Sequence, residues 1–109
     1  MSAPEPLRHA DEFRIGADHP ALPGHFPGRP VVPGVVILDE VIACAERWLG
    51  RELVVTGLPQ AKFVGVLEPE RTARVALSLA GARLNFEVHG EAGPLASGMF
   101  ALDDGAPGT

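Results

Sequence analysis

The chain has 109 residues, 46% of them apolar and 21% charged, with a formal net charge of −5. That length suits one domain with a single core, and the composition is that of a globular protein rather than a disordered one. One lysine, Lys62, against eight arginines leaves no basic stripe for a phosphate backbone, so no nucleic-acid partner is expected.

Residues 1–6 carry no periodicity and read as a tail, without the basic and apolar regions of a signal peptide. A single cysteine, Cys44, excludes an internal disulfide, and a cytoplasmic location is expected. Phe13 to Ile15 suggests a short strand. Between Pro20 and Gly34 stand five prolines and three glycines, which forbid regular helix or central strand and predict an ordered loop able to bury Phe26, Val31 and Val32. The spacing of Leu38, Val41, Ile42, Ala45, Trp48 and Leu49 then predicts one helix over 34–49, with Pro33 before its first turn and Gly50 after its last. Val36, Ile37, Ala43 and Cys44 on its other face make it apolar nearly all round, so its N-terminal half should be buried. The longest wholly apolar run, Val35 to Leu38, is far below the roughly 20 residues needed to cross a bilayer, and no membrane span is expected.

Beyond Gly50 the period falls to two. Gln60 to Leu67 reads as a strand, with Glu68-Pro69-Glu70 as its turn. Val75, Leu77 and Leu79, then Leu84, Phe86 and Val88, alternate with polar residues, and Gly81-Ala82 separates the two runs. Leu95 to Leu102 follows after Gly90 to Pro94, completing an antiparallel meander, and residues 103–109 read as a second tail. The sum is an α+β single domain, an antiparallel sheet curled around one long central helix. The edges of so small a sheet favour pairing with a second subunit.

The residues carrying chemistry surround the start of the helix. Gly34 supplies a backbone N–H at a positive helix end, suited to a carbonyl that is becoming an oxyanion. His25, in the Pro/Gly loop, is placed to take a proton near neutral pH, and Asp39, within apolar surroundings, to act as the complementary acid. Base, acid and oxyanion donor suit proton abstraction beside a carbonyl. The same residues also admit plainer roles, a surface histidine on a loop and an aspartate placed early in a helix for the dipole.

The stretch His25-Phe26-Pro27-Gly28-Arg29-Pro30-Val31-Val32-Pro33-Gly34-Val35-Val36-Ile37-Leu38-Asp39 resembles the signature of the FabA/FabZ-type β-hydroxyacyl-acyl-carrier-protein dehydratases. Lys62-Phe63-Val64 and the Glu68-Pro69 turn are similar to that family's second strand. The resemblance implies a hotdog fold, a dimer, and active sites at the interface with the histidine from one subunit and the carboxylate from the other. It implies His25 as the base removing the C2 proton of a 3-hydroxyacyl thioester and Asp39 as the acid assisting departure of the C3 hydroxyl. The Gly34 N–H would polarise the thioester carbonyl, and the Val31 carbonyl would orient the imidazole. FabZ-type enzymes have Glu where this chain has Asp39. Ala43 replaces the family's glutamine, and Glu40, a candidate accessory group, replaces its usual alanine. The shortness of the chain resembles the small dehydratase-like proteins of aryl-polyene and polyketide clusters.

The implied activity is a lyase giving trans-2-enoyl thioesters, with acyl carrier protein or a CoA thioester as partner, no cofactor and no metal. A homodimer is expected, with a hotdog heterodimer as the alternative. The competing functions are a hotdog thioesterase using Asp39 or Glu40 to activate water, and a non-catalytic acyl-binding subunit. His9, His19 and His89 lack metal-site spacing and read as loop or surface residues. Cys44 reads as core, Trp48 as core or dimer contact, and Arg29, Lys62, Arg71 and Arg74 as a candidate surface for an acidic carrier protein.

Overall fold

The computed structural model describes residues 6–20, 22 and 31–103. Its elements run β1 (Leu7–Arg14), α1 (Gly34–Leu49), β2 (Val55–Phe63), β3 (Thr72–Ala80), β4 (Arg83–Gly90) and β5 (Gly93–Leu102). The strands form one antiparallel sheet of order β1-β3-β4-β5-β2, with α1 packed on its inner face. This is the expected α+β arrangement.

The meander β3-β4-β5 exists because its alternation is nearly unbroken. Val75, Val88 and Ala96 stand opposite one another across the three strands, as do Leu79, Leu84 and Phe100, and nearly all of these side chains are buried. Opposite Phe86 comes Gly98, where a Cβ would lie 2.3 Å from the Gln60 carbonyl oxygen and 2.9 Å from the Phe86 ring. Only glycine lets β2 close against β5 there while the Phe86 ring lies beside Phe100, with centroids 5.2 Å apart.

The edge strands depart from expectation. β1 spans eight residues rather than three, because His9 and Asp11 occupy inward positions that a hydrophobic pattern does not register. β2 begins at Val55, not Gln60, and ends at Phe63, not Leu67. Gly57 and Pro59 mask it in the sequence, yet both are tolerated on an edge strand whose register shifts between Gly57 and Gln60. Pro6 is half-buried, and Asp103 donates its N–H to the Val54 carbonyl at 2.9 Å, so residue 103 closes the sheet rather than starting a tail. Residues 1–5 and 104–109, also read as tails, lie outside the described residues.

Helix α1 has the expected bounds. Pro33 is its N-cap, and Gly50, with φ of 70°, adopts the left-handed conformation that ends it, donating its N–H to the Glu46 carbonyl. The buried stripe is Val36, Ile37, Val41, Cys44 and Ala45, with Trp48 partly buried at its end. Cys44 is the core residue expected of it. Val35, however, is 64% exposed, so the N-terminal half is buried on one side only.

Candidate active site

The loop enters α1 under two constraints. Val32 is buried and donates its N–H to the Leu67 carbonyl at 2.8 Å, while Pro33 accepts the N–H groups of Val36 and Ile37 at 3.0 and 3.2 Å. The helix therefore starts cleanly at Gly34, whose N–H and that of Val35 have no acceptor inside the helix and point out of its positive end. Val31, whose carbonyl was expected to orient an imidazole, is half-buried two residues before the N-cap.

Asp39 does not lie in the apolar interior, which corrects the expectation of a buried carboxyl; it is exposed. At about 100° per residue it stands some 200° around the helix from both Ile37 and Val41, opposite the buried stripe. It shares the outward face with Val35, one turn before it, and makes no ion pair or hydrogen bond among the described residues. Along the axis it lies about 7.5 Å beyond Gly34. Glu40 is half-buried beside it, and Ala43 continues the same face one turn on. His25 and Arg29 lie outside the described residues; of the expected set the structure describes Val31, Gly34, Asp39 and Glu40.

One neighbour is not among the expected site residues. The Phe63 ring, at the end of β2, packs across Gly34, with Cζ and Cε1 3.0 and 3.1 Å from where a Cβ would project. The usable signal was the glycine itself, since a helix that starts on glycine instead of alanine leaves space for something else. Beyond Phe63 the surface stays apolar, with Val64 54% and Val66 66% exposed, as Val35 is at the start of the helix. So much uncovered apolar surface marks an interaction region.

The other end of the helix is closed by side chains. Arg47 donates to the Asp11 carboxylate and to Cys44 Sγ, both at 3.2 Å. The N–H of Glu12, donated at 2.8 Å, and then Arg47 hold the Asp11 carboxyl below its ordinary range, while burial pushes the Cys44 thiol up and makes it a poor nucleophile. His9 stacks on Trp48, with ring centroids 5.1 Å apart and planes within 6°. His9 is thus a packing residue of β1 rather than a loop or surface histidine.

Open depressions on the outer sheet face, one between Ala10, Ala76 and Glu87 and another beside Arg74 and His89, contain neither Gly34 nor Asp39. Among the described residues no group of three His, Cys, Asp or Glu is placed to hold a metal, and no helix is long and apolar enough to cross a membrane. Of the cations named for a carrier protein, Arg71 lies 3.6 Å from Glu91, whereas Lys62 and Arg74 form no ion pair among the described residues.

The ApeI-like family model, described as ApeI dehydratase, matches residues 5–99. A 3-hydroxyacyl-[acyl-carrier-protein] dehydratase FabZ of Chloroflexus aggregans is 33% identical over 84 residues, covering 71% of this chain and 58% of that protein. The chain spans about half the length of the curated relatives it matches. Among solved structures, the dehydratase heterocomplex ApeI:P of Xenorhabdus doucetiae superposes with a TM-score of 0.76 at 22% identity, over 94% of this chain and 98% of that one. A thioesterase superfamily member of Thermus thermophilus superposes with a TM-score of 0.67 at 17% identity, over 93% and 82%. These superpositions establish the hotdog fold.

Proposed function

Because this chain belongs to the ApeI-like dehydratase family, we propose that it dehydrates 3-hydroxyacyl thioesters, carried on acyl carrier protein, to trans-2-enoyl thioesters. The observation that carries the reading is Asp39, an exposed carboxyl with no partner among the described residues, on the same helix whose N–H groups without an intrahelical acceptor begin at Gly34. An unengaged carboxyl facing outward is available to a substrate held against a second subunit.

In this reading the Gly34 N–H donates to the thioester carbonyl oxygen and stabilises the negative charge that develops on it as the C2–H bond breaks. His25 takes the C2 proton. The C3–O bond then breaks with the electron pair leaving on oxygen, and Asp39 of the facing subunit delivers the proton that releases it as water. Val31 orients His25 through its carbonyl, and Glu40 stands beside the acid as an accessory group. The exposed apolar side chains of Val35, Phe63, Val64 and Val66 support a second hotdog chain as the partner that completes each site. That partner is a second copy or a related chain, and the heterocomplex formed by the Xenorhabdus relative supports keeping both arrangements in view.

Mass spectrometry of a 3-hydroxyacyl carrier protein incubated with the wild type, His25→Ala and Asp39→Asn tests the assignment. Loss of one water from the thioester with the wild type alone is the expected result. Release of free thiol would make the protein a thioesterase. Binding of carrier protein without turnover, even with a second hotdog chain added, would make it an acyl-binding subunit.

A further inference from the structure

Phe63 is held in place by backbone, not by chance packing of a loose ring. It is the last residue of β2, opposite Ala96 of β5, and the two residues after it donate their N–H groups to the Leu95 carbonyl at 2.8 and 3.2 Å. Gly65 permits that anchoring, since a Cβ there would lie 2.8 Å from the Pro94 carbonyl oxygen. The strand end is therefore pinned, and the ring it carries reaches across to the start of α1.

Where the ring meets the helix matters chemically. Each Cα–Cβ direction in a helix tilts toward the N-terminus, so the space that Phe63 fills beside Gly34 lies next to the Gly34 N–H and leans toward whatever that N–H binds. The ring is nevertheless 45% exposed, more than a residue serving only the core would be. It thus presents an apolar wall flanking the free end of the helix.

We infer that Phe63 is a specificity-determining residue whose ring, seated against Gly34, excludes substituents at C2 of the acyl thioester. This rests on the dehydratase reading above. A thioester carbonyl whose oxygen accepts the Gly34 N–H carries C2 one bond from its carbonyl carbon, beside the ring. An unbranched C2, bearing two hydrogens, fits against that wall and leaves one hydrogen for the base. A 2-methyl substrate still has a C2 hydrogen to lose, so its dehydration is chemically allowed. Its methyl group meets the ring instead.

The test compares kcat/KM for unbranched and 2-methyl-3-hydroxyacyl thioesters, each C2 epimer separately, in the wild type, Phe63→Leu and Phe63→Ala. The protein is assayed in its assembled form. The ratio of branched to unbranched activity is expected to rise about tenfold or more in Phe63→Ala, the range that one methyl group commands in an apolar pocket, with Phe63→Leu between. A purely structural role would lower both activities together and leave the ratio where it was, and that result overturns the inference while the dehydratase reading stands. If the wild type dehydrates neither substrate, the reading itself fails and the inference with it. Should Phe63→Ala fail to fold, an unchanged ratio in Phe63→Leu is sufficient to overturn the assignment.

Discussion

The two ends of α1 solve the same problem in opposite ways. At the C-terminal end the chain supplies its own partners: Gly50 caps the helix, Glu46 accepts the Leu53 N–H at 2.9 Å, Arg47 joins Asp11 to Cys44, and Trp48 stacks on His9. At the N-terminal end Gly34 and Val35 keep N–H groups with no acceptor in the helix, Val35 and Asp39 face outward, and an exposed phenyl ring lies across the first residue. A helix end closed by its own side chains contributes stability. One left open, inside an apolar surround, is placed to meet something outside the chain.

This contrast separates the consequences of substitution. Trp48→Ala removes a large partly buried ring and its stacking partner, and should lower the unfolding free energy by about 3 kcal/mol in denaturant titrations at every protein concentration. Val35→Ser takes a methyl-rich side chain from the surface, and should change single-chain stability by no more than about 0.5 kcal/mol. Its effect should appear instead in sedimentation and in the concentration dependence of unfolding, because association stabilises the folded state by mass action. Equal shifts from both substitutions, independent of concentration, would erase the distinction between the ends.

A finer measurement concerns Gly34 and Phe63. Gly34→Ala pushes a methyl against the ring, while Phe63→Ala clears the space, so the double variant should be about 1 kcal/mol more stable than the sum of the single changes predicts. Strict additivity in the cycle would mean that the ring moves aside at no cost, and that Phe63 does not press on the helix start.

The smallest expected effect is a pH dependence at the closed end. The Glu12 N–H and Arg47 favour the ionised form of Asp11, so the folded chain holds that proton less tightly than the unfolded one does. The resulting stability is complete above the ordinary carboxylate range and is lost as pH falls through the lowered folded value. Since the Asp11–Arg47 pair is partly solvated, the difference from Asp11→Asn should be about 1 kcal/mol or less at neutral pH and vanish in acid. A difference that persists undiminished in acid would show that the ion pair is not what ties β1 to the helix.

Particular residues explain how much of this was legible beforehand. The meander could be read because Val75, Leu77, Leu84, Phe86 and Val88 alternate with polar neighbours, and each inward residue meets another across the sheet. β1 could not be read at full length, because its inward His9 and Asp11 find their partners on α1, thirty or more residues away. β2 was displaced in the reading because its side chains are nearly all exposed and it contains a proline, so burial leaves no pattern on it. Within the candidate site, the motif from His25 to Asp39 was visible as a linear signature, and the ApeI-like match covers it. The outward direction of Asp39 and the ring over Gly34 were not visible.

By itself, then, the sequence determined the span of α1, the meander, and the identity of the groups able to do acid–base chemistry beside a helix end. Those depend on local periodicity, on Pro33 and Gly50 as stops, and on which side chains titrate. Tertiary structure alone decided which face of the helix was buried, and so turned Asp39 outward. An amphipathic pattern as broad as that of α1 admits several rotations, and the sheet selects the one that fills its inner face. The same contacts carried Phe63 to Gly34, a meeting of residues 29 positions apart that depends on where the end of β2 is pinned to β5.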